Sequence, residues 1–256
     1  MKKFSDFGDV IDVEAPINVM QENPYEDKVE APIEPDTKEE VENPPEIKTV
    51  NTQPMPDHLI NDPQSVGYPD LQTQEDIYRN AVFGILSSEP DIILDVGCGR
   101  GDFGHYIRTV VNPDIVYRGI DTNDIMIEAG RQKYSEVLAS NEIENFNLET
   151  KLFDVNEVDD TIYDWIFHVT NMTVNYGYTV PFNQYDYLEQ IIDKTIQQSN
   201  KGSVFVLLND HNATESYLHY NIGSVAKMLH ERGVKFAIDN SDFPNMFKLI
   251  IFNNPF

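Results

Sequence analysis

Three aspartates and a histidine recur at one kind of place in this sequence, the end of a short apolar run. Asp95 follows Ile92-Ile93-Leu94, Asp121 follows Tyr117-Arg118-Gly119-Ile120, Asp154 follows Lys151-Leu152-Phe153, and His168 falls late in Trp165-Ile166-Phe167-His168-Val169. Apolar runs of this length read as buried strands, and open α/β sheets bind ligands at the carboxyl ends of their strands. One such acid would read as a solvated turn or a helix cap; three on successive strands point to ligand binding. Between the first two, Gly97, Gly99, Gly101 and Gly104 put four glycines into eight residues. Residues without Cβ let a backbone turn sharply and approach a ligand closely.

Gly99, Gly101 and Gly104 satisfy the dinucleotide fingerprint G-x-G-x-x-G, with Asp121 at a workable distance for a ribose-binding acid. Asp95 argues against that ligand, because a pyrophosphate brought to the turn would meet a carboxylate. S-adenosyl-L-methionine carries a ribose, an ammonium and a sulfonium but no phosphate, so an acid beside the glycines suits it. The spelling Asp95-Val96-Gly97-Cys98-Gly99-Arg100-Gly101 resembles the first motif of class I S-adenosylmethionine-dependent methyltransferases. Tyr117-Arg118-Gly119-Ile120-Asp121, Lys151-Leu152-Phe153-Asp154-Val155 and Tyr163-Asp164-Trp165-Ile166-Phe167-His168 resemble that family's next three strand motifs, and the likeness spans residues 71–256. It implies S-adenosyl-L-methionine as cofactor, with Asp121 accepting from both ribose hydroxyls and Met126 and Ala129 beside the adenine. Asp154 would accept from the adenine amine next to Val155, Asp95 would face the methionine end, and Gly97, Cys98, Gly99 and Gly101 would form the floor.

Methyl transfer from a sulfonium is an in-line displacement in which the site mainly aligns the reactants and excludes water. A base is needed only for an acceptor such as a hydroxyl. His168 and His211 are the candidates, each at or just past a strand end, and imidazole titrates in the useful range; the plainer reading of both is a hydrogen-bonded loop histidine. The loop at residues 170–184, with Asn171, Tyr176 and Tyr178, is the expected substrate wall, since loops at this end of a sheet vary with function. It lacks the Asn or Asp, Pro-Pro, aromatic motif of amino-methylating nucleic-acid enzymes, and no Pro-Cys pair is available for cytosine C5 chemistry. Cys98 is the single cysteine, so it forms no internal disulfide and no metal cluster. It reads as a small side chain under the ligand, not an activated thiol.

The net charge of -26 disfavours nucleic acid, whose phosphates demand clustered Lys and Arg, and disfavours anionic membranes too. No apolar run approaches a spanning length, and Lys2-Lys3 leads into acidic residues, not a signal peptide. A cytoplasmic location follows as the expectation. The composition, rich in asparagine, aspartate, isoleucine and tyrosine, also resembles bacteriophage proteins, which would mean a host cytoplasm or a virion. Residues 1–70 hold 10 of the 15 prolines and carry 17 acidic against 5 basic residues. Such a segment buries too little apolar surface to offset the entropy of ordering, so it reads as an extended acidic arm that docks to a protein partner. The chain therefore divides at residue 70, and two functions compete: methyl transfer to a small molecule or protein side chain, or a methyltransferase-fold assembly component that docks through its arm.

The elements that must position these residues alternate. A helix starting near Thr73 and Asp76 carries Ile77, Ala81, Val82 and Ile85 on one face; strands follow at 91–94, 115–120, up to 153, 165–169 and 204–208. Intervening helices carry Phe103 and Ile107, then Ile125, Ala129 and Val137, then Leu188, Ile191, Ile192 and Ile196, with a last one at 222–231 closed by Gly233. Parallel neighbours need long crossovers, whereas the final runs at 234–238 and 247–252 have room only for a tight connection. The expected fold is α/β: a doubly wound, seven-stranded, mostly parallel sheet whose C-terminal strand inserts antiparallel, as in class I methyltransferases.

Overall fold

Strands without a polar face have to be covered on both sides. In the computed structural model, which describes residues 62–87, 89–135, 145–157, 160–173, 183–210 and 217–253, helices and a seven-stranded sheet meet that demand. The elements are α1 (Leu71–Val82), β1 (Ile92–Val96), α2 (Asp102–Tyr106, running into a π-helical turn Ile107–Val111), β2 (Val116–Asp121), α3 (Asp124–Lys133) and β3 (Phe146–Thr150). Then follow β4 (Tyr163–Val169), α4 (Gln184–Gln198), β5 (Ser199–Leu208), α5 (Ile222–Glu231), β6 (Lys235–Asp239) and β7 (Met246–Phe252). Strand order is β3-β2-β1-β4-β5-β7-β6, with β7 antiparallel to both neighbours and every other pair parallel. The expected class and the inserted last strand are both present.

Side chains leave alternate faces of a strand, and the core divides accordingly. Ile93, Tyr117, Phe167, Val204 and Val206 meet Ile77, Ala81, Phe103 and Ile127 from α1, α2 and α3. Phe205, Leu207, Leu249 and Ile251 meet Leu188, Ile191, Val225 and Leu229 from α4 and α5. Among the described residues no helix joins β3 to β4. The face of Leu94 and Ile120 consequently borders an open cavity of 410 Å³, lined also by Tyr163 and Lys194.

Several local expectations need correction. The N-cap of α1 is Asp70, whose carboxylate accepts from the Thr73 amide at 2.7 Å, so Thr73 already lies inside the helix. Strand β3 stops at Thr150, short of residue 153, and Val137 lies outside the described residues. Residues 62–70, grouped with the arm on composition, are packed on the domain: a 3-10 turn at Pro63–Val66 leads to Tyr68, buried in the core. Residues 1–61 lie outside the described residues. Lys248 on β7 reaches under the sheet to the C-terminal end of α1, donating to the carbonyls of Asn80 and Phe83 at 2.9 and 3.1 Å, which gives those orphan acceptors a cationic partner. No helix among the described residues is long and apolar enough to cross a membrane.

Gly104 shows how tightly α2 rides on β2. A Cβ there would lie 2.4 Å from the Tyr117 ring, itself fully buried. Gly104→Ala should lower stability by about 1–2 kcal/mol in urea titration, because overpacking against a fixed ring outweighs the better helix propensity of alanine. A stabilised variant would show that α2 can lift away from the sheet.

Candidate functional site

The turn after β1 is built from left-handed glycines: φ is 72° at Gly97, 55° at Gly99 and 79° at Gly101. Residues with Cβ pay heavily for that conformation. What holds the turn is the end of β2. The amides of Gly97 and Cys98 donate to the Ile120 carbonyl at 2.8 and 3.0 Å, and the Gly99 amide donates to Asp121 Oδ2 at 2.8 Å. The Gly101 amide closes back on the Cys98 carbonyl at 2.9 Å. These four amides are thus satisfied within the chain. Asp121 Oδ1 accepts from the Asn123 amide at 2.8 Å, so the carboxylate is fixed through both oxygens while each keeps room for another donor.

A cavity of 330 Å³ borders this turn. Of the residues singled out by sequence, Asp95, Gly97, Cys98, Gly99, Asp121, Met126 and Asn171 line it. Gly101 does not: its missing side chain makes room for Leu148, 2.7 Å from an ideal Cβ. Asp154 lines the other cavity, on the bare face beyond β3, and Val155 packs toward the core under α4 and α5. The reason is that the chain leaves β3 without a helix and Phe153 turns inward, edge-on to His168 at 5.7 Å.

His168, the expected base, is fully buried and absent from the cavity lining. It shares the face of Ile166 on β4, stacks on Phe205 at 4.6 Å, and burial pushes its pKa down to about 3. A catalytic base must reach the reacting proton, and this ring does not. Tyr176, Tyr178 and His211 lie outside the described residues.

Other residues of the cavity escaped sequence reasoning. Ser65, Val66 and Tyr68 form one wall, held by Arg100, whose Nη1 donates to Ser65 Oγ at 2.8 Å and to the Asp62 carbonyl at 3.1 Å. The same guanidinium, 1% exposed, pairs with Asp102 at 2.6 Å, and Asp102 also accepts from Lys133 at 2.8 Å and Tyr134 at 2.5 Å. Burial raises the Asp102 pKa, but these donors and the Arg100 charge hold it below the usual carboxylate range. Thr170 closes β4 with φ of 65°, a strained value for a β-branched residue, and its Oγ1 lies 3.2 Å from the Tyr68 hydroxyl. A π-helical or strained segment leaves no mark in composition.

Asp95 is the electrostatic oddity of the site. It is 2% exposed and accepts from the Tyr117 hydroxyl at 2.6 Å. Burial pushes its pKa up to about 7, against the pull of that hydrogen bond and with help from the Asp121 charge. Burial likewise raises the Cys98 thiol, so it stays protonated and unreactive.

A family model described as a methyltransferase domain matches residues 87–249, well over half of the chain. The chain belongs to the methyltransferase-domain family. The fold recurs in the PH0226 protein of Pyrococcus horikoshii OT3, at TM-score 0.53 and 10% identity over 78% of this chain and 99% of that one. It recurs in an O-methyltransferase family protein of Burkholderia thailandensis, at TM-score 0.50 and 12% identity, covering 72% of this chain but only 56% of the other. No curated protein matches the sequence. S-adenosyl-L-methionine is the cofactor that the family implies, and the cavity fits it: a carboxyl-bearing wall that suits a cation, and an Asp121 carboxylate held by the Gly99 and Asn123 amides with lone pairs left for further donors.

Asp95 gives the domain a pH signature. Below about pH 4 the group is protonated in folded and unfolded chains alike. Between there and its folded value of about 7, the unfolded chain ionises first, so the fold binds more protons and loses stability as pH rises, by at most about 1.4 kcal/mol per unit. Asp95→Asn cannot ionise and should gain on wild type across that window in urea melts, levelling off above it. A pH-independent difference would show that Asp95 titrates normally.

Proposed function

We propose that this protein transfers a methyl group from S-adenosyl-L-methionine to a neutral or cationic acceptor, a small molecule or a protein side chain. The observation that carries the reading is the lining of the cavity: the Asp121 carboxylate and the Asp95 carboxyl face it, the charge of Asp102 is already met by Arg100 and Lys133, and among the described residues no Lys, Arg or His lines it. Such a wall favours a cationic nucleoside and repels anionic acceptors. When bound, S-adenosyl-L-methionine supplies a methyl group made electrophilic by its sulfonium. The chain's part is to bind and orient. Asp121, held by the Gly99 and Asn123 amides, would take the ribose hydroxyls, a charge-assisted pair. Met126 would lie against the base, and Gly97, Cys98 and Gly99 would keep the backbone close to the methionine end, with Asp95 behind them. Asp154 and Val155 enter this reading only if the segment after β3 moves toward the cavity when it fills.

Among the described residues no histidine or lysine lines the cavity, which suits an acceptor that is already a good nucleophile. The acidic segment at residues 1–61 belongs to the same proposal as the part that docks to a protein partner, supported by its proline and acid content.

In isothermal titration, S-adenosylmethionine and S-adenosylhomocysteine should bind the full chain and NAD should not. Asp121→Ala should weaken both by about 1.5–3 kcal/mol, the range for a hydrogen bond to a charged group. Gly99→Arg should abolish binding and any passage of labelled methyl groups to components of a host lysate, because its backbone is left-handed and its Cβ would lie 3.3 Å from Val66. NAD binding at the same site would overturn the reading. Deleting residues 1–61, which spares the Asp62 and Ser65 contacts to Arg100, should leave homocysteine-derivative binding intact while removing recovery in a larger complex. Binding lost with the arm would place the arm in the cavity instead.

A further inference from the structure

Lys194 is a buried cation that the methyl-transfer reading does not use. It stands among the buried positions of α4, 6% exposed, and among the described residues no carboxylate pairs with it. Its Nζ donates to the Glu157 carbonyl and lies over the Phe153 ring, 5.9 Å from the centroid. Lysines are almost never buried without a counter-charge, because the ammonium has to give up its hydration. It also carries three hydrogens, of which one carbonyl takes one.

This ammonium belongs to the wall of the 410 Å³ cavity left on the sheet where β3 and β4 are joined without a helix. No residue lines both that cavity and the one beside the glycine turn. The sheet supplies the buried apolar side chains of Leu94 and Ile120, and the crossover supplies Phe153. A cavity of this size, apolar with a few placed polar groups, is of the kind that holds a small molecule. Carboxylates line it too, but Glu149, Glu157 and Asp160 are exposed, so water screens them, and Glu157 lies 3.9 Å from Lys151. Asp154, half-buried, accepts from the Asn156 amide at 2.8 Å. Of the charged residues in the lining, Lys194 alone is buried. The rim is therefore mixed in charge and the inner wall is cationic.

We infer that this cavity is a second ligand site, which takes a small molecule whose carboxylate pairs with Lys194 and whose apolar body lies on Leu94, Ile120 and Phe153. Such a ligand supplies both the missing counter-charge and acceptors for the remaining ammonium hydrogens. The site stands apart from the cofactor reading and does not depend on it. A purely structural role, in which Lys194 only ties α4 to the crossover through the Glu157 carbonyl, makes the opposite demand: the cavity would then prefer no anion over its neutral counterpart.

The test is titration of the full chain with benzoate and hexanoate, each against its amide, benzamide and hexanamide, followed by amide chemical shifts. At least one carboxylate should bind one to one, about tenfold or more tighter than its amide, the scale of a hydrogen bond to a charged group. Inorganic phosphate, which has charge but no apolar body, should bind at least about tenfold more weakly than that carboxylate. Shifts should move at Gly119 and Asn147, which line this cavity, and not at Gly99 or Asn123, which line the other. Lys194→Met keeps the length of the side chain and removes its charge, so it should abolish the preference for carboxylate over amide, while Lys194→Arg should keep it. Melting temperatures report whether each variant folds, and the carboxylate preference and shift map of the unmodified chain decide the matter even where a variant fails. Failure of both carboxylates to bind, amides or phosphate binding as tightly, shifts confined to the glycine-turn cavity, or an unchanged preference in folded Lys194→Met would each overturn the inference.

Discussion

The Ile120 carbonyl and the Asp121 carboxylate, received by consecutive amides of the glycine turn, are the joint on which the site is built. They tie the carboxyl end of β1 to that of β2 and oblige residues 97, 99 and 101 to take backbone angles that glycine alone adopts cheaply. Neighbouring elements are fitted to the same joint. An ideal Cβ on Gly130 of α3 would strike the Arg100 carbonyl at 2.2 Å, and one on Gly119 would strike Cys98 Sγ at 2.8 Å. Helix α3, which follows β2, is thereby pressed against the glycine turn, and Asp121 is fixed by the Gly99 and Asn123 amides before any ligand arrives. That preorganisation is what a binding acid needs, since the chain has already met the cost of ordering it.

A second, charged joint fastens the wall opposite. Arg100, Asp102 and Tyr134 are buried together, and Lys133 reaches Asp102 from the surface, so that each partner is hydrogen-bonded. Pairs of this kind return little net stability, because desolvation offsets attraction, but removing one member strands the others. Their value here is geometric: Arg100 carries both the turn and the backbone at Asp62 and Ser65, bringing Val66 and Tyr68 against the cavity. Tyr68 then meets Thr170 at the end of β4. One wall of the cavity is thus a segment that precedes the first helix, attached through the Arg100 guanidinium and the buried Tyr68.

Local spacing made the first strand, the glycine turn, Asp121 and the antiparallel ending legible, because each is written in contiguous residues with a single physical meaning. Parity was harder. His168 lies at a strand's carboxyl end, yet it is two residues from Ile166 and so shares the face of α4 and α5, whereas the cavity takes Val169 and Thr170. Asp154 failed for another reason: its place depends on how the chain leaves β3, and without a crossover helix the pull of Phe153 toward the core decides it. Arg100 stands in the sequence only as one residue of the glycine motif, and its partners at 62 and 65 are too far along the chain for local spacing to announce. The boundary at residue 70 followed composition, which cannot register that one tyrosine beyond a proline-rich stretch is enough to anchor it.

These features carry an electrostatic tension. Asp95 and Asp121 sit near each other around a cavity that brings no lysine, arginine or histidine of its own among the described residues, and the fold answers by keeping Asp95 partly protonated near neutrality. A carboxyl whose charge is disfavoured by burial and by a like neighbour is stabilised in its ionised form when a cation enters. The cationic end of S-adenosyl-L-methionine is such a partner. The buried acid therefore carries an unfavourable charge that a cationic ligand relieves and an anionic one deepens. Under the proposed function, the same buried acid would disfavour phosphates and favour a sulfonium-bearing nucleoside.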